Sequence, residues 1–166
     1  GKIPLDQLIN AFNEFSITFI AYEDPMAIGE DLVWEDIVDT GVVVVNNPGT
    51  CATKPIITIT ALNGGMPGDV GVTGGYDPLS QINDTLTNPV LTIAGETITY
   101  AGVIAPGASL VIDCDKMHAS KGGVNADGDI VGEFPALGPG DNNITMTDDT
   151  STGGGMVKLE YNGRWL

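Results

Sequence analysis

The sequence predicts an all-β fold, an antiparallel β-sandwich, from its composition, its periodicity and its turn residues. The 166 residues are 42% hydrophobic but include 23 glycines and 10 prolines, so the apolar residues fall in short stretches between turns. Many of these stretches alternate apolar and polar side chains, as half-buried strands do. About nine or ten of them occur without a long helical pattern, which favours a sandwich or barrel. A chain of this length buries roughly two-thirds of its unfolded surface and needs no metal or disulfide to fold.

The first forty residues change pattern twice. Apolar residues over 5–12 have helical spacing and predict about two helical turns. Residues 15–21 then alternate with a period of two, which predicts a half-buried strand that ends at Asp24-Pro25. Residues 23–40 are acidic, with Trp34 as their one large anchor, and we interpret them as an irregular linker.

Strands and turns follow each other through the rest of the chain. The apolar stretch Val42–Val45 ends at a turn over 46–49, where Pro-Gly presets the backbone. Ala94-Gly95 lies between two alternating stretches and predicts a hairpin. In the last strand, Val157, Leu159 and Tyr161 are predicted to face inward, with the residues between them facing out. The glycine-rich segment 63–77 is a loop to which the sequence assigns no role.

The charge balance excludes some partners. Six basic residues stand against 22 acidic ones, giving a formal net charge of −16. Nucleic-acid binding needs clustered Lys and Arg, and anionic membrane surfaces also select basic segments, so neither is expected. No apolar run is long enough to span a bilayer. Three interpretations of the acidic surface are open: it keeps the protein soluble, it binds a cationic partner surface, or it adapts the protein to salt.

Residues that could perform chemistry are few. The only histidine, His118, follows Cys114 by four residues, too far in an extended strand for an activated thiol. No Gly-x-Ser-x-Gly elbow occurs, and sequence does not show whether two carboxylates share a cleft. The segment Asn125–Asp129 has oxygen ligands around a glycine that suit Ca²⁺, but it lacks the EF-hand spacing and the late Glu and is interpreted as a hairpin turn. We therefore expect no enzyme, no catalytic residue, no metal and no cofactor.

Two further sets of residues have open interpretations. Cys51 and Cys114 are interpreted as free, partly buried thiols, although sequence alone does not exclude that they pair. Aromatic rings stack on the apolar faces of sugars, and Trp34, Tyr76 and Tyr100 are the candidate glycan contacts. Each of these rings also suits the core or edge of a sandwich.

Six phrases in a fixed order carry a resemblance to a known family. They are 17–25, 44–50, 54–59, 107–113, 134–144 and 157–166. Together they resemble the C-terminal half of the siphophage tail-component family, the distal tail proteins, over roughly residues 15–166. The phrases are turns that feed strands, and none of them places a nucleophile or a set of ligands.

The resemblance implies a structural protein of the virion at the tail tip, the distal tail or baseplate hub. In that family an N-terminal domain forms a ring on the tail tube, and a galectin-like, jelly-roll sandwich projects from it. The resemblance assigns residues 1–40 to the end of the ring domain and a linker, a short N-terminal appendage, and 41–166 to the outer sandwich. It implies a domain for docking or adhesion, with a carbohydrate-binding module for host cell-wall polysaccharide as the alternative.

The same resemblance implies partners and location. The expected partners are the tail tube, tail-associated proteins and receptor-binding proteins, and host surface polysaccharide is a further candidate for attachment. The expected location is the virion tail tip, and the host cytoplasm during assembly. A hexamer is expected for the full-length protein. This chain opens at Gly1 without Met and holds little of the ring domain, so it is expected to be a monomeric fragment.

Overall fold

The structure, a computed structural model, describes residues 27–38, 41–62, 85–149 and 155–166. The strands within these ranges are β1 Ala27–Val38, β2 Val43–Asn47, β3 Ile56–Ala61, β4 Leu86–Thr87, β5 Val90–Ile93, β6 Glu96–Tyr100, β7 Val103–Ile104, β8 Ser109–Asp113, β9 His118–Lys121, β10 Val124–Asn125, β11 Ile130–Gly132, β12 Gly140–Thr147 and β13 Gly155–Trp165. The helix predicted over 5–12, the strand predicted over 15–21 and the loop 63–77 lie outside the described residues. In the described part, no helix is long and apolar enough to cross a membrane.

The strands form two main antiparallel sheets. One has the order β1-β13-β3-β8-β9-β10, and the other has the order β11-β6-β5-β12-β2. A small third sheet pairs β4 with β7. The two main sheets enclose a single cluster of buried apolar side chains, so the predicted all-β sandwich is confirmed.

Strand β1 corrects the prediction of an irregular linker over 23–40. Residues Ala27–Val38 form a strand that pairs with β13 from Val38↔Gly155 to Ala27↔Trp165. The prediction failed because acidic residues and an irregularity between Ile28 and Asp31 obscure the alternation. Leu32 and Trp34 nevertheless pack against the core, as the period of two requires.

The core is built by alternating residues of facing strands. Val157 and Leu159 of β13 are fully buried, as predicted, and Tyr161 is 7% exposed. They lie beside Ile57 and Ile59 of β3 in the same sheet. The facing sheet contributes fully buried Leu and Ile side chains from β5, β6 and β12: Leu91, Ile93, Ile98 and Ile144. Each such side chain stabilises the fold by about 1.5–3 kcal/mol relative to exposure.

Two buried asparagines stabilise the turns at the two Pro-Gly pairs, 48–49 and 139–140. Asn47 donates to the carbonyls of Cys51 and Leu137 and accepts a hydrogen bond from the Gly49 amide at 3.0 Å. Asn142 bonds both the amide and the carbonyl of Gly138. Because buried polar groups need partners, these side chains fix the backbone around them. The turns predicted from Pro and Gly thus depend on neighbouring amides as well.

Candidate functional site

A groove crosses the outer face of the six-stranded sheet near one end of its strands. Its centre is a row of paired residues, one from each of four adjacent strands: Val33, Glu160, Ile56 and Asp113. Neighbouring strands lie about 4.8 Å apart, so the row spans roughly 14 Å. Apolar and acidic side chains alternate along it, and Val33 is 61% exposed. This outer face therefore offers both apolar and hydrogen-bonding groups to a ligand.

Two adjoining hollows form the groove. The first, of about 270 Å³, lies over β1, β13 and the start of β3. The second, of about 210 Å³, lies beside it toward β8 and is also lined by Lys54, Lys116 and Arg164. Both hollows are lined by Ile56, Glu160, Tyr161 and Asn162, which makes them continuous. Each is smaller than a drug-sized pocket of roughly 300–1,000 Å³, so it fits a small polar group.

The acidic groups of the row have basic partners close by. Lys116 Nζ lies 2.7 Å from Asp113 Oδ2, and this hydrogen bond lowers the pKa of the Asp113 carboxyl. Lys158 Nζ lies 3.1 Å from Glu160 Oε1. Asn162 donates to the carboxylate of Asp31 on β1. Lys54 and Arg164 have no carboxylate partner among the described residues.

The comparisons with known proteins identify the family. A family model described as "Siphovirus-type tail component, C-terminal domain" matches residues 78–165. The chain belongs to this family. The match confirms the resemblance carried by the sequence phrases and gives the protein its place in the tail of a virion. A search of curated proteins finds no match.

A solved structure shares the fold of this tail component. The crystal structure of SPP1 Dit (gp 19.1), described as a paradigm of the hub adsorption apparatus in phages that infect Gram-positive bacteria, is similar with a TM-score of 0.61. The sequences are 11% identical, and the similarity covers 87% of this chain and 50% of SPP1 Dit. This chain therefore spans about half the length of that protein, and the likeness concerns the fold.

The aromatic residues predicted as glycan contacts do not come together in this tail component. Trp34 lies on β1, half-buried against the core. Tyr100 lies on β6 in the other sheet, where it is 4% exposed and has Lys121 Nζ 5.4 Å from its ring centroid. A ring buried to this extent has little face left for a sugar. Tyr76 lies outside the described residues.

The residues considered for catalysis or metal binding are occupied by structural contacts. Cys114 is fully buried, and burial together with the charge of Asp113 raises the pKa of its thiol to about 12. The exposed His118 lies 2.9 Å from Asp127 Oδ1, and Asp127 also accepts a hydrogen bond from the Ala119 amide. The described residues contain no group of His, Cys, Asp and Glu that could hold a metal.

The segment 125–129, predicted to be a hairpin turn, instead connects β10 and β11, which belong to different sheets. Asp127–Asp129 is a short 3-10 turn, and Asn125 bonds Asp127 through both its amide and its side-chain oxygen. Sequence reasoning did not find the groove itself, because Lys54, Ile56, Asn162 and Arg164 are far apart along the chain. The available signal was slight: two of the six basic residues, Lys158 and Arg164, lie near the C-terminal end.

Proposed function

We propose that this tail component is the outer domain of a distal tail hub and that it docks another tail protein at the tail tip. The family match over 78–165 is the observation that carries the proposal. The tail tube, tail-associated proteins and receptor-binding proteins are the proposed partners, with a hexamer for the full-length protein and a monomer for this chain. Assembly in the host cytoplasm belongs to the same proposal.

The fold suits a rigid scaffold that binds neighbouring tail proteins. Its core is continuous, and two sheets joined by buried side chains resist deformation. Of its candidate reactive side chains, Cys114 is fully buried and His118 is paired with Asp127. We therefore propose a role without catalysis.

The pairing of β1 changes the proposed extent of the outer domain. A boundary at residue 40 would separate β1 from β13, to which it is bonded along Ala27–Val38. Strands that share a sheet and a core fold together. We propose that the outer domain begins before Ala27 and that residues 1–40 are not a unit of their own.

Immunogold electron microscopy of intact virions tests the tail-tip location. Antibodies raised against this 166-residue chain are expected to label the distal end of the tail, with antibodies against a capsid protein as the control. Label along the tube or on the capsid would contradict the proposal. Size-exclusion chromatography with multi-angle light scattering tests docking and the monomeric state. The purified chain is run alone and mixed with each co-encoded tail protein, and a heavier species is expected in one mixture.

A second candidate function is binding of host cell-wall polysaccharide. The groove across Val33, Glu160, Ile56 and Asp113 favours it, because apolar contacts and hydrogen-bonding groups alternate there as they do on a sugar. The two functions are compatible, since one sandwich can bind a protein partner at one edge and a glycan at another. A glycan array probed with the purified chain tests this candidate, and an array without bound spots would remove it.

A further inference from the structure

Positive charge is unevenly distributed over this acidic chain. Six Lys and Arg residues stand against 22 Asp and Glu residues, yet Lys54, Lys116 and Arg164 line the same hollow of the groove. Half of the chain's basic residues thus line this hollow, together with three carboxylates, those of Asp113, Asp115 and Glu160.

Two of these cations remain available to a ligand. Lys116 is bonded to Asp113 at 2.7 Å, which neutralises both groups. Lys54 and Arg164 have no carboxylate partner among the described residues. Arg164 Nε is buried and lacks any hydrogen-bond partner there, although a guanidinium N–H is a strong donor. Arg164 also lines the hollow, so its guanidinium can donate to an acceptor group of a ligand there.

The remainder of the groove suits a hydroxyl-bearing chain. Oxygen acceptors and an amide lie along the first hollow. They belong to Glu160 and to Asp31 and Asn162, whose side chains are hydrogen-bonded to each other. Ile56, 37% exposed, and Val33 supply apolar surface between them. Sugars combine hydroxyl groups with apolar C–H faces, so both kinds of surface have a counterpart on a saccharide.

We propose that the groove binds an acidic saccharide, with its carboxylate or phosphate on Lys54 and Arg164 and its hydroxyls along Asp31, Glu160 and Asn162. This inference rests on the second candidate function, glycan binding, and adds the ligand class and the site. A short acidic oligosaccharide is the expected form of the ligand, because the acidic surface elsewhere repels a long polyanion.

Nuclear magnetic resonance titration of the ¹⁵N-labelled chain tests the assignment. The probes are tetragalacturonate, a glycerol phosphate tetramer, neutral cellotetraose and tetraglutamate, each at low and high salt. Shifts of the amides of Lys54, Ile56, Asn162 and Arg164 are expected with one of the two anionic hydroxylated probes. The affinity is expected to fall in high salt, because screening weakens exposed charge pairs.

Variants locate the charge contact. Arg164→Gln and Lys54→Gln are each expected to weaken binding at least about tenfold, since each loses a charge-assisted hydrogen bond. Lys121→Gln removes the same charge on the far side of the sheet, where Lys121 bonds the carbonyl of Val103, and is expected to change binding less than about twofold. Circular dichroism melting shows that each variant is folded.

Each outcome separates this inference from the functions it extends. Equal binding of cellotetraose and tetragalacturonate in the groove overturns the acidic ligand but keeps glycan binding. Equal binding of tetraglutamate indicates a protein carboxylate and overturns the saccharide. No binding of any probe overturns this inference, whereas the glycan array decides whether the chain binds any other glycan. The proposed place at the tail tip depends on the immunogold result and is not affected.

Discussion

The phenol of Tyr161 on β13 donates a hydrogen bond of 2.8 Å to the backbone carbonyl of Asn46 on β2. These strands belong to different sheets, so the bond fastens one layer of the sandwich to the other. Tyr161 is also among the residues that line both hollows of the groove. Burial raises the pKa of the Tyr161 phenol and keeps it a donor at neutral pH. The groove floor is thereby tied to the facing sheet.

Replacing Tyr161 by Phe removes this bond while the ring stays. The free energy of unfolding is expected to fall by about 0.5–1.5 kcal/mol, the usual net value of a hydrogen bond, because the Asn46 carbonyl loses its donor. Urea denaturation of both proteins measures the difference. Tyr100→Phe is the matched control, since the Tyr100 hydroxyl has no hydrogen-bond partner in the described ranges. Equal losses in the two variants would contradict a specific role for the link between sheets.

The two cysteines are expected to react with thiol reagents at very different rates. Cys51 is partly exposed, whereas Cys114 is fully buried and has a thiol pKa of about 12, so it stays protonated and unreactive at pH 8. A native sample treated with a disulfide reagent should release one equivalent of chromophore quickly. The second equivalent should require denaturant. Cys51→Ser is expected to abolish the fast phase, and two fast equivalents in the native protein would contradict the buried position of Cys114.

Sequence patterns predicted the sheets because alternation is a local property. Val157, Leu159 and Tyr161 alternate with polar residues within a few positions, and no partner strand is needed to assign their face. Strand β1 was missed because acidic residues and the irregularity before Asp31 hide the same period there. Its assignment depends on pairing with β13, which is more than a hundred residues away.

The groove could not be predicted for a related reason. Lys54, Asp113 and Arg164 meet only because β3 lies between β13 and β8. A single sequence predicts strands but does not fix the order in which they pair. Trp34 and Tyr100 were predicted as glycan contacts from their side-chain type alone. The fold uses such large apolar rings for packing before any remain for ligands.

Asp127 is expected to make stability depend on pH in the acid range. Its carboxylate accepts hydrogen bonds from the Ala119 amide at 2.6 Å and from the side chains of Asn125 and His118, and chiefly the first of these lowers its pKa. A folded-state pKa below the unfolded one gives stability that is present above about pH 4 and lost as pH falls through the folded pKa. Melting temperatures at pH 6 and at pH 3 measure this loss.

The variant Asp127→Asn separates the contribution of Asp127 from that of other carboxylates. It keeps the shape but not the charge, so its melting temperature is expected to be lower at pH 6 and to fall less toward pH 3. Asp129→Asn, in the same turn, is the control, and it is expected to follow the unmodified protein. Parallel curves for Asp127→Asn and the unmodified protein would show that this carboxylate does not contribute to the acid-dependent loss.

The turn between β5 and β6 is where a substitution is expected to stabilise the protein. Ala94 and Gly95 both have positive φ, +52° and +91°, and Ile93 pairs with Glu96 across them. This is a type I′ turn, which matches the twist of a two-residue hairpin. An alanine at positive φ is strained by about 1 kcal/mol or more, and asparagine tolerates this conformation far better.

Ala94→Asn is therefore expected to raise the free energy of unfolding by about 0.5–1 kcal/mol. The side chain at 94 is exposed, and the backbone amide that donates to the Asn143 carbonyl at 3.0 Å is unchanged, so no packing is lost. Gly95→Ala is the opposing control: nothing lies near an added Cβ, so any destabilisation must come from its φ of +91°. Denaturation midpoints should thus move in opposite directions at neighbouring positions, and a shared direction would mean that contacts rather than backbone conformation govern this turn.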